Sequence, residues 1–322
     1  MIHRRSFLAA PVAAAAAALP PIAPALARAP LAGPSAAFYR FKVGAFEVTA
    51  LGDGTLTLPA DASMFPGAGR EPEAAARILA QNAVGPGPTP VWVNTYLVNT
   101  GDRLVLVDTG AGTLQAFGPT LGRLPRNLAA AGVTPGAIDV VILTHLHPDH
   151  EAGLAPDGSP AFPNAELVVH APEHAFWTND GAMSRTPADF RPFFAMAREA
   201  VAPYAARLRL AQPGEVVPGL FLESAPGHTP GHAAVRVSSG DAQFLIWGDA
   251  LHAAALQFDR PDWSMAFDTD QAQSAATRRR LLDMAAQDRL LIAAMHLPFP
   301  GIGRVGRRGD AYTYVPEPWQ AG

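Results

Sequence analysis

The stretch 144–150 constrains this chain more than any other part of its sequence. Its metal-capable side chains are three imidazoles and one carboxylate: His145, His147, Asp149 and His150. They directly follow the apolar run 138–143, which is typical of a buried strand that ends there. Buried imidazole and carboxylate groups cost free energy unless they are paired or bind a metal. Four such side chains at this spacing therefore predict a metal site at a strand end.

Three further predicted strand ends each deliver one more residue of a metal-binding type: His228, Asp249 and His296. His228 lies in a turn, 225–232, whose two glycines and two prolines fix the irregular backbone that a ligand loop requires. A lone structural zinc would need four ligands and would leave three buried polar groups unexplained. Seven ligands suffice for two metal ions that share one ligand, so the residues favour a two-metal site.

Asp108 also follows a predicted strand, 104–107. One interpretation is that its carboxylate caps the turn after the strand. The other is that it lies behind the metal ligands and orients them. Both interpretations require an acid at this strand end, so both stay open.

Composition indicates a globular protein with a sizeable core, since 49% of the 322 residues are hydrophobic and 16% are charged. The formal net charge is -4 and no long basic block is present, which makes nucleic acid an unfavourable partner. The short run 278–280, three arginines, is interpreted as a solvated helix face. The chain has no cysteine, so its stability must come from its core and from bound metals.

The first residues resemble a twin-arginine export signal. Arg4 and Arg5 precede the apolar run 7–19, and a small-residue cleavage site follows at 25–27. The apolar run is shorter than the ~20 residues of a membrane-spanning helix, which argues against an anchor. We therefore expect an export signal over 1–27, a Pro/Ala-rich leader over 28–36, one folded domain over 37–322, and a periplasmic or secreted protein.

Strand and helix patterns alternate along the rest of the chain and predict one α/β domain. The predicted strands are 38–43, 46–51, a short one after a turn within 53–59, 91–99, 104–107, 138–143, 165–170, 220–223, 234–237, 244–247 and 290–295. The predicted helical segments are 71–81, 121–131, 172–178, 191–208 and 270–286.

The order and spacing of the seven ligand-type residues resemble the metallo-β-lactamase superfamily, with its HxHxDH, His, Asp, His series. The resemblance implies an α/β (α+β) fold, a four-layer αββα sandwich of two mixed sheets with the site at one edge. It further implies that His145, His147 and His228 hold one metal ion, that Asp149, His150 and His296 hold the second, and that Asp249 bridges both. Two divalent ions are implied, zinc first, with manganese, cobalt or iron as alternatives.

Four segments, 38–58, 94–110, 117–124 and 296–303, are similar to methyl parathion hydrolase and its exported relatives. That resemblance implies an aromatic substrate pocket built from Phe117, Trp177 and Phe194, each of which has core packing as an equal alternative. Two further residues are expected in the pocket: His252, where the parathion-hydrolysing enzymes are aliphatic, and Phe267, in the segment 263–267 that is bulkier than its counterpart. For His252, a loop histidine with satisfied hydrogen bonds is the alternative. Relatives form dimers, so a homodimer is one state that the resemblance allows.

The resulting functional hypothesis is a hydrolase in which a metal-bridging hydroxide attacks a small apolar ester, either an organophosphate triester or a lactone or aryl ester. Asp149 and Asp249 are the predicted catalytic carboxylates, Asp149 through help to the leaving group. His232, which is not a ligand in the family pattern, is expected behind the ligands with Asp108. Three alternatives remain: a glyoxalase-type thioesterase, an iron-dependent oxidoreductase and a non-catalytic metal-binding module.

Overall fold

The computed structural model describes residues 35–85, 87–115 and 118–319, and its strands form two sheets. Seven described strands form the first sheet, in this order across it: β1 Phe38–Val43, β2 Phe46–Pro59, β3 Pro88–Asn99, β4 Leu104–Val107, β5 Val140–Leu143, β6 Glu166–His170 and β7 Leu208–Ala211. Strands β4 to β7 pair in parallel and the remaining pairs of this sheet are antiparallel. The sheet is therefore mixed.

The second sheet also has seven described strands, and its order across the sheet runs from the last strand back to the first: β14 Ala311–Pro316, β13 Ile302–Arg308, β12 Leu291–Ala293, β11 Ala242–Ile246, β10 Ala233–Ser239, β9 Leu220–Ser224 and β8 Gly214–Val217. Strands β11 and β12 are parallel, and the other neighbours pair antiparallel. This sheet is mixed as well.

Helices lie between the strands in sequence and cover the outer faces of both sheets. Their bounds are α1 Pro66–Arg70, α2 Pro72–Gln81, α3 Leu124–Ala130, α4 Pro148–Glu151, α5 Ala171–Trp177, α6 Asp180–Arg185, α7 Pro192–Val201, α8 Ala254–Gln257 and α9 Gln271–Gln287. Helices α3, α5, α6 and α7 pack on the first sheet, and α9 packs on the second. The order of layers is helix, sheet, sheet, helix, which confirms the predicted αββα sandwich.

Alternation along the central strands divides their side chains between two cores. In β5, Val140 and Ile142 point between the sheets, whereas Val141 and Leu143 point toward the helices of the first sheet. In β11, Phe244 also points between the sheets. Strands that are buried on both faces must be apolar throughout, which explains why these segments are continuous hydrophobic runs in the sequence.

The strand directions bring four chain segments to one edge of the sandwich. Strands β4 and β5 are parallel, so the residues after both leave the first sheet at the same end. In the second sheet β9 and β11 are both antiparallel to β10, and β12 is parallel to β11, so these three also end together. Every predicted metal ligand follows one of the strands β5, β9, β11 or β12.

Several local predictions differ from the structure. Strand β2 is one strand of 14 residues with a bulge between Gly52 and Gly54, where a turn and a separate short strand were expected. The sequence pattern predicted a helical segment over 191–208, but α7 ends at Val201 and β7 begins at Leu208. Strands β8, β13 and β14 were not anticipated: β8 has only four residues, and glycines and arginines interrupt the apolar pattern of β13, which pairs with β14.

The predicted export signal, 1–27, and all of the leader except residues 35 and 36 lie outside the described residues, and both stay predictions. Contacts group residues Ala36–Gly322 as one compact unit. Among the described residues, no helix is long and apolar enough to cross a membrane.

A core substitution tests the packing between the sheets. Phe244 is fully buried there, edge-on to Phe41 at a ring-centroid distance of 5.2 Å and to Tyr96 at 6.2 Å. We expect Phe244→Ala to lower the free energy of unfolding by about 3–5 kcal/mol, because it removes a large side chain and leaves a cavity. Urea denaturation measures the loss. The matched control Phe38→Ala, at a side chain that is 37% exposed, should cost about 1 kcal/mol or less. Equal losses would contradict this account of the core.

Candidate metal centre

Two groups of donor atoms meet at the sheet edge. In the first, His147 Nδ1 lies 3.1 Å from His145 Nε2 and 2.9 Å from His228 Nε2, and Asp249 completes the group. The second group consists of Asp149, His150 and His296, with Asp149 Oδ2 3.6 Å from the Nε2 atoms of both histidines. Within each group all donor atoms lie within 4.8 Å of one another. The structure thus brings together all seven predicted ligands.

The chemistry of these donors fits divalent metal ions. Burial lowers the pKa of His145 and of His147 well below the usual range, so both rings are neutral and carry a free lone pair. His150 Nε2 and Asp249 Oδ1 are buried 3.3 Å apart, yet neither has a hydrogen-bond partner among the described residues. Orphaned buried polar atoms are costly. A cation between them would satisfy both atoms, so this site suits a metal better than it suits a hydrogen-bond network.

Most of the predicted ligand imidazoles are anchored through their second ring nitrogen. His150 Nδ1 lies 2.7 Å from Asp108 Oδ2, His228 Nδ1 lies 2.9 Å from Asp268 Oδ1, and His296 Nδ1 lies 2.7 Å from the carbonyl oxygen of Trp92. Such contacts fix the ring orientation and leave the other nitrogen free for a metal.

Asp108 contacts both ends of the ligand-bearing segment 144–150, and the structure accommodates both interpretations of its role. Its Oδ1 accepts a hydrogen bond from Thr144 N, and its Oδ2 accepts one from Thr144 Oγ1 and contacts His150. The residue has a left-handed φ of 59°, which non-glycine residues rarely adopt. The same carboxylate therefore caps the turn at Thr144 and contacts a ligand ring.

His232 lies behind Asp249 and belongs to neither donor group. Its Nδ1 donates to the carbonyl oxygen of Ala225 at 2.8 Å, and its Nε2 accepts from the backbone N–H of Asp249 at 2.9 Å. Burial lowers the pKa of His232 to about 3, so the ring is neutral and can accept that bond. Gly248 has a φ of +58°, and a Cβ there would lie 2.5 Å from His232 Nε2. Only glycine allows this close approach.

Glu173 joins the two histidine loops, and sequence reasoning missed it. Its Oε1 accepts from Leu146 N and Trp177 Nε1, and its Oε2 accepts from Thr229 Oγ1 and Gly231 N. Burial raises the pKa of this carboxyl, and the four donors partly offset that cost. The available signal was an acid in the first turn of a helix that follows a buried strand. That signal does not distinguish it from an ordinary capping residue.

Asp268 and Arg278 form a second support that the sequence did not reveal. Arg278 was interpreted as part of a solvated helix face, and that is wrong: it is 1% exposed. Its guanidinium donates to the carbonyl oxygens of Ala250 and Pro261 and lies 3.5 Å from Asp268. Burial would raise the pKa of Asp268, but His228 and Arg278 bring it to about 2. The buried ion pair thereby holds a charged carboxylate behind a ligand histidine.

A cavity of about 300 Å³ opens onto the donor atoms. Among its walls are Leu56, Leu58, Phe193, Met265 and Phe267, with five of the seven predicted ligands at its base. Two predicted pocket residues, His252 and Phe267, line it.

Two other predicted pocket aromatics, Trp177 and Phe194, lie in the buried cluster outside the first sheet. They border a neighbouring cavity of about 370 Å³ rather than the one on the donor atoms. Phe193, one position earlier on α7, was missed and borders both cavities. Phe117 lies outside the described residues.

Comparison with known families gives a match over most of the chain. Residues 88–296 match the model of the metallo-beta-lactamase superfamily. A hydrolase named AbOPH, described as belonging to the beta lactamase superfamily, is 31% identical in sequence. Its crystal structure gives a TM-score of 0.84 and covers 90% of this chain and 100% of its own. AidC, described as a dizinc quorum-quenching lactonase, is 27% identical with a TM-score of 0.80, over 88% of this chain and 99% of its own.

Curated relatives match more distantly. A probable metallo-hydrolase of Mycobacterium tuberculosis, Rv2300c, is 28% identical over 49% of this chain, and the match spans only 56% of that protein's length. An N-acyl homoserine lactonase of Bacillus thuringiensis is 25% identical over 64% of this chain and 81% of its own length.

The link through Glu173 is testable by an isosteric change. In Glu173→Gln an amide N–H₂ group replaces one acceptor oxygen, so buried donors on one of the two histidine loops lose their acceptor. We expect the free energy of unfolding to fall by about 1–3 kcal/mol and the affinity for zinc to fall with it. Urea denaturation and metal titration measure the two effects. The control Glu73→Gln, at an exposed residue of α2, should change neither. A Glu173→Gln protein that matches the control would show that this carboxylate does not hold the loops.

Proposed function

Since this chain belongs to the metallo-beta-lactamase superfamily, we propose that it is a two-metal hydrolase of small, uncharged esters. One observation carries the proposal, the position of Asp249 between the two groups of donors. Its Oδ2 lies 3.4 Å from His228 Nε2 and 3.0 Å from His296 Nε2, and its Oδ1 lies 3.3 Å from His150 Nε2. A carboxylate with both oxygens surrounded in this way is suited to bridge two ions.

Zinc is the metal we propose, because imidazole and carboxylate donors suit it and AidC is described as a dizinc enzyme. The first ion would be held by His145, His147 and His228, and the second by Asp149, His150 and His296, with Asp249 between them. When bound, such ions lower the pKa of a coordinated water to near neutral and polarise the substrate's carbonyl or phosphoryl oxygen.

Asp149 is the residue to which we assign proton transfer. The side chain of Asp149 is 18% exposed and borders the cavity, whereas that of Asp249 is 3% exposed. A partly exposed carboxylate beside the reacting atoms can accept a proton from the attacking water and return it to the leaving oxygen. The carboxylate of Asp249 is buried among the imidazoles of the two donor groups, so we assign it a positioning role.

The walls of the cavity support an uncharged, apolar substrate. Leu56, Leu58, Phe193, Met265 and Phe267 present hydrocarbon surface around the donor atoms. A volume of about 300 Å³ is at the lower end of the range for small-molecule pockets. Apolar walls displace water from the substrate and strengthen electrostatic interactions at the reacting group.

Lactones are the ester class that we place first, because AidC and the Bacillus thuringiensis relative are both described as lactonases. Organophosphate triesters are the second class, since four segments between residues 38 and 303 are similar to methyl parathion hydrolase. The two classes share the same metal chemistry and differ in the group that the cavity must accommodate.

Turnover of the two classes tests the proposed function. The protein from residue 28 onward, loaded with zinc, manganese or cobalt, is assayed with an aromatic lactone and with a methyl parathion type triester. We expect hydrolysis of the lactone to be faster, and we expect Asp249→Asn to lower kcat/KM by ~10²-fold or more, because the bridging charge is lost. The control Asp241→Asn, at an exposed residue, should leave the rate unchanged. Failure to hydrolyse either ester with metals bound would contradict the proposal, and faster triester turnover would reverse the order of the two classes.

A further inference from the structure

His252 places an eighth donor beside the two groups, in the segment after β11. Its Nε2 lies 3.0 Å from Asp249 Oδ2, and with Asp249 and His296 it forms a third set of donors within 4.8 Å of one another. The family pattern does not include this histidine. We propose that His252 is an exchangeable ligand of the metal ion that His296 holds, bound to it before substrate arrives and released when substrate binds. This inference rests on the two-metal site proposed above.

His252 and His296 stand in the same relation to Asp249. Both Nε2 atoms are 3.0 Å from the same oxygen, Asp249 Oδ2. Each residue is 4% exposed, and the two rings stack at a centroid distance of 5.1 Å with an angle of 23° between their planes. Donor atoms that share one ion at bonds of about 2 Å lie roughly 3 Å apart. His252 therefore shares with His296 its contact to Asp249, whereas only His296 also belongs to the group with Asp149 and His150.

The rings of the two histidines differ in how they are anchored. His296 Nδ1 contacts the carbonyl oxygen of Trp92, whereas His252 Nδ1 is buried without a hydrogen-bond partner among the described residues. The backbone of His252 is held, since its N–H donates to Gln257 Oε1 at 2.8 Å. Gln257 is itself held by a bond from its Nε2 to the carbonyl oxygen of Trp263. The side chain of His252 can thus turn on a fixed backbone, which permits release without movement of the loop.

Space for the released ring lies next to it. His252 and His296 border both the cavity of about 300 Å³ and a second one of about 530 Å³. The second cavity is walled mainly by small and aliphatic residues, among them Leu79, Val84 and Ala254. A ring that turns away from the ion can enter this second cavity while substrate occupies the first. An ion held by His296 would then have an open coordination position, which catalytic metal sites keep.

Metal binding tests the assignment without any substrate. We measure the affinity of the metal-free protein for the first and second equivalents of zinc by competition with a chromophoric chelator, and we record the visible spectrum of each added equivalent of cobalt(II). In His252→Leu we expect the affinity for the first equivalent of zinc to equal that of the wild type. The affinity for the second equivalent should fall by ~10-fold or more. The cobalt spectrum of the second equivalent should change as one nitrogen ligand is lost. Met265→Leu, which alters the same cavity wall without a nitrogen donor, should match the wild type in both readouts.

A second variant separates ligation from a hydrogen bond to Asp249. His252→Asn keeps an N–H donor. Under our proposal this variant still binds the second equivalent of zinc more weakly than the wild type, and its cobalt spectrum is still altered. Wild-type affinity and spectrum in either variant would overturn the proposal and leave His252 as a hydrogen-bond donor. Unchanged affinity for the first equivalent shows that a variant is folded.

The outcomes also separate this inference from the proposed function. A wild type that binds one ion contradicts both proposals. A wild type that binds two ions and hydrolyses no ester contradicts the proposed function alone, since ligation by His252 is read from metal affinity and spectra.

Discussion

The burial of Asp249 among imidazole rings is the constraint on which the rest of the site depends. Burial would raise the pKa of this carboxyl, yet the imidazoles of His150, His296 and His252 bring it well below its usual range, so it is ionised. An ionised carboxylate buried in protein costs several kcal/mol unless positive charge or hydrogen bonds surround it. The converging strand ends supply those neighbours, and a cation beside the orphaned Oδ1 atom would complete them.

Around this centre the ligands are held by buried carboxylates that belong to other parts of the chain. Asp108 holds the loop after β5, Glu173 ties that loop to the one after β9, and Asp268 holds His228 with help from Arg278. Each of these carboxylates accepts several hydrogen bonds, which offsets its desolvation. The arrangement fixes the ligand rings before a metal binds, so less of the binding free energy is lost in ordering them. His252 stands outside this scheme because its second ring nitrogen has no such anchor.

The sequence predicts most of the ligand set and the layers of the fold, because both depend on patterns of residues that are close together in sequence. His145 to His150 are close together in sequence, and apolar residues predominate in the strands that precede the ligands. Glu173, Asp268 and Arg278 could not be predicted, since each acts on residues that are distant in sequence; Glu173, for example, contacts Gly231 58 positions later. Phe193 was missed in favour of Phe194 because neighbouring helix positions face different directions, and no sequence pattern shows which face of α7 borders the cavity.

The most direct test of the central claim, that two divalent ions bind on either side of Asp249, is a crystal structure of the zinc-loaded protein with anomalous diffraction recorded at the zinc absorption edge. This account predicts two anomalous peaks, one among His145, His147 and His228 and the other among Asp149, His150 and His296. A single peak, or peaks away from Asp249, would contradict it.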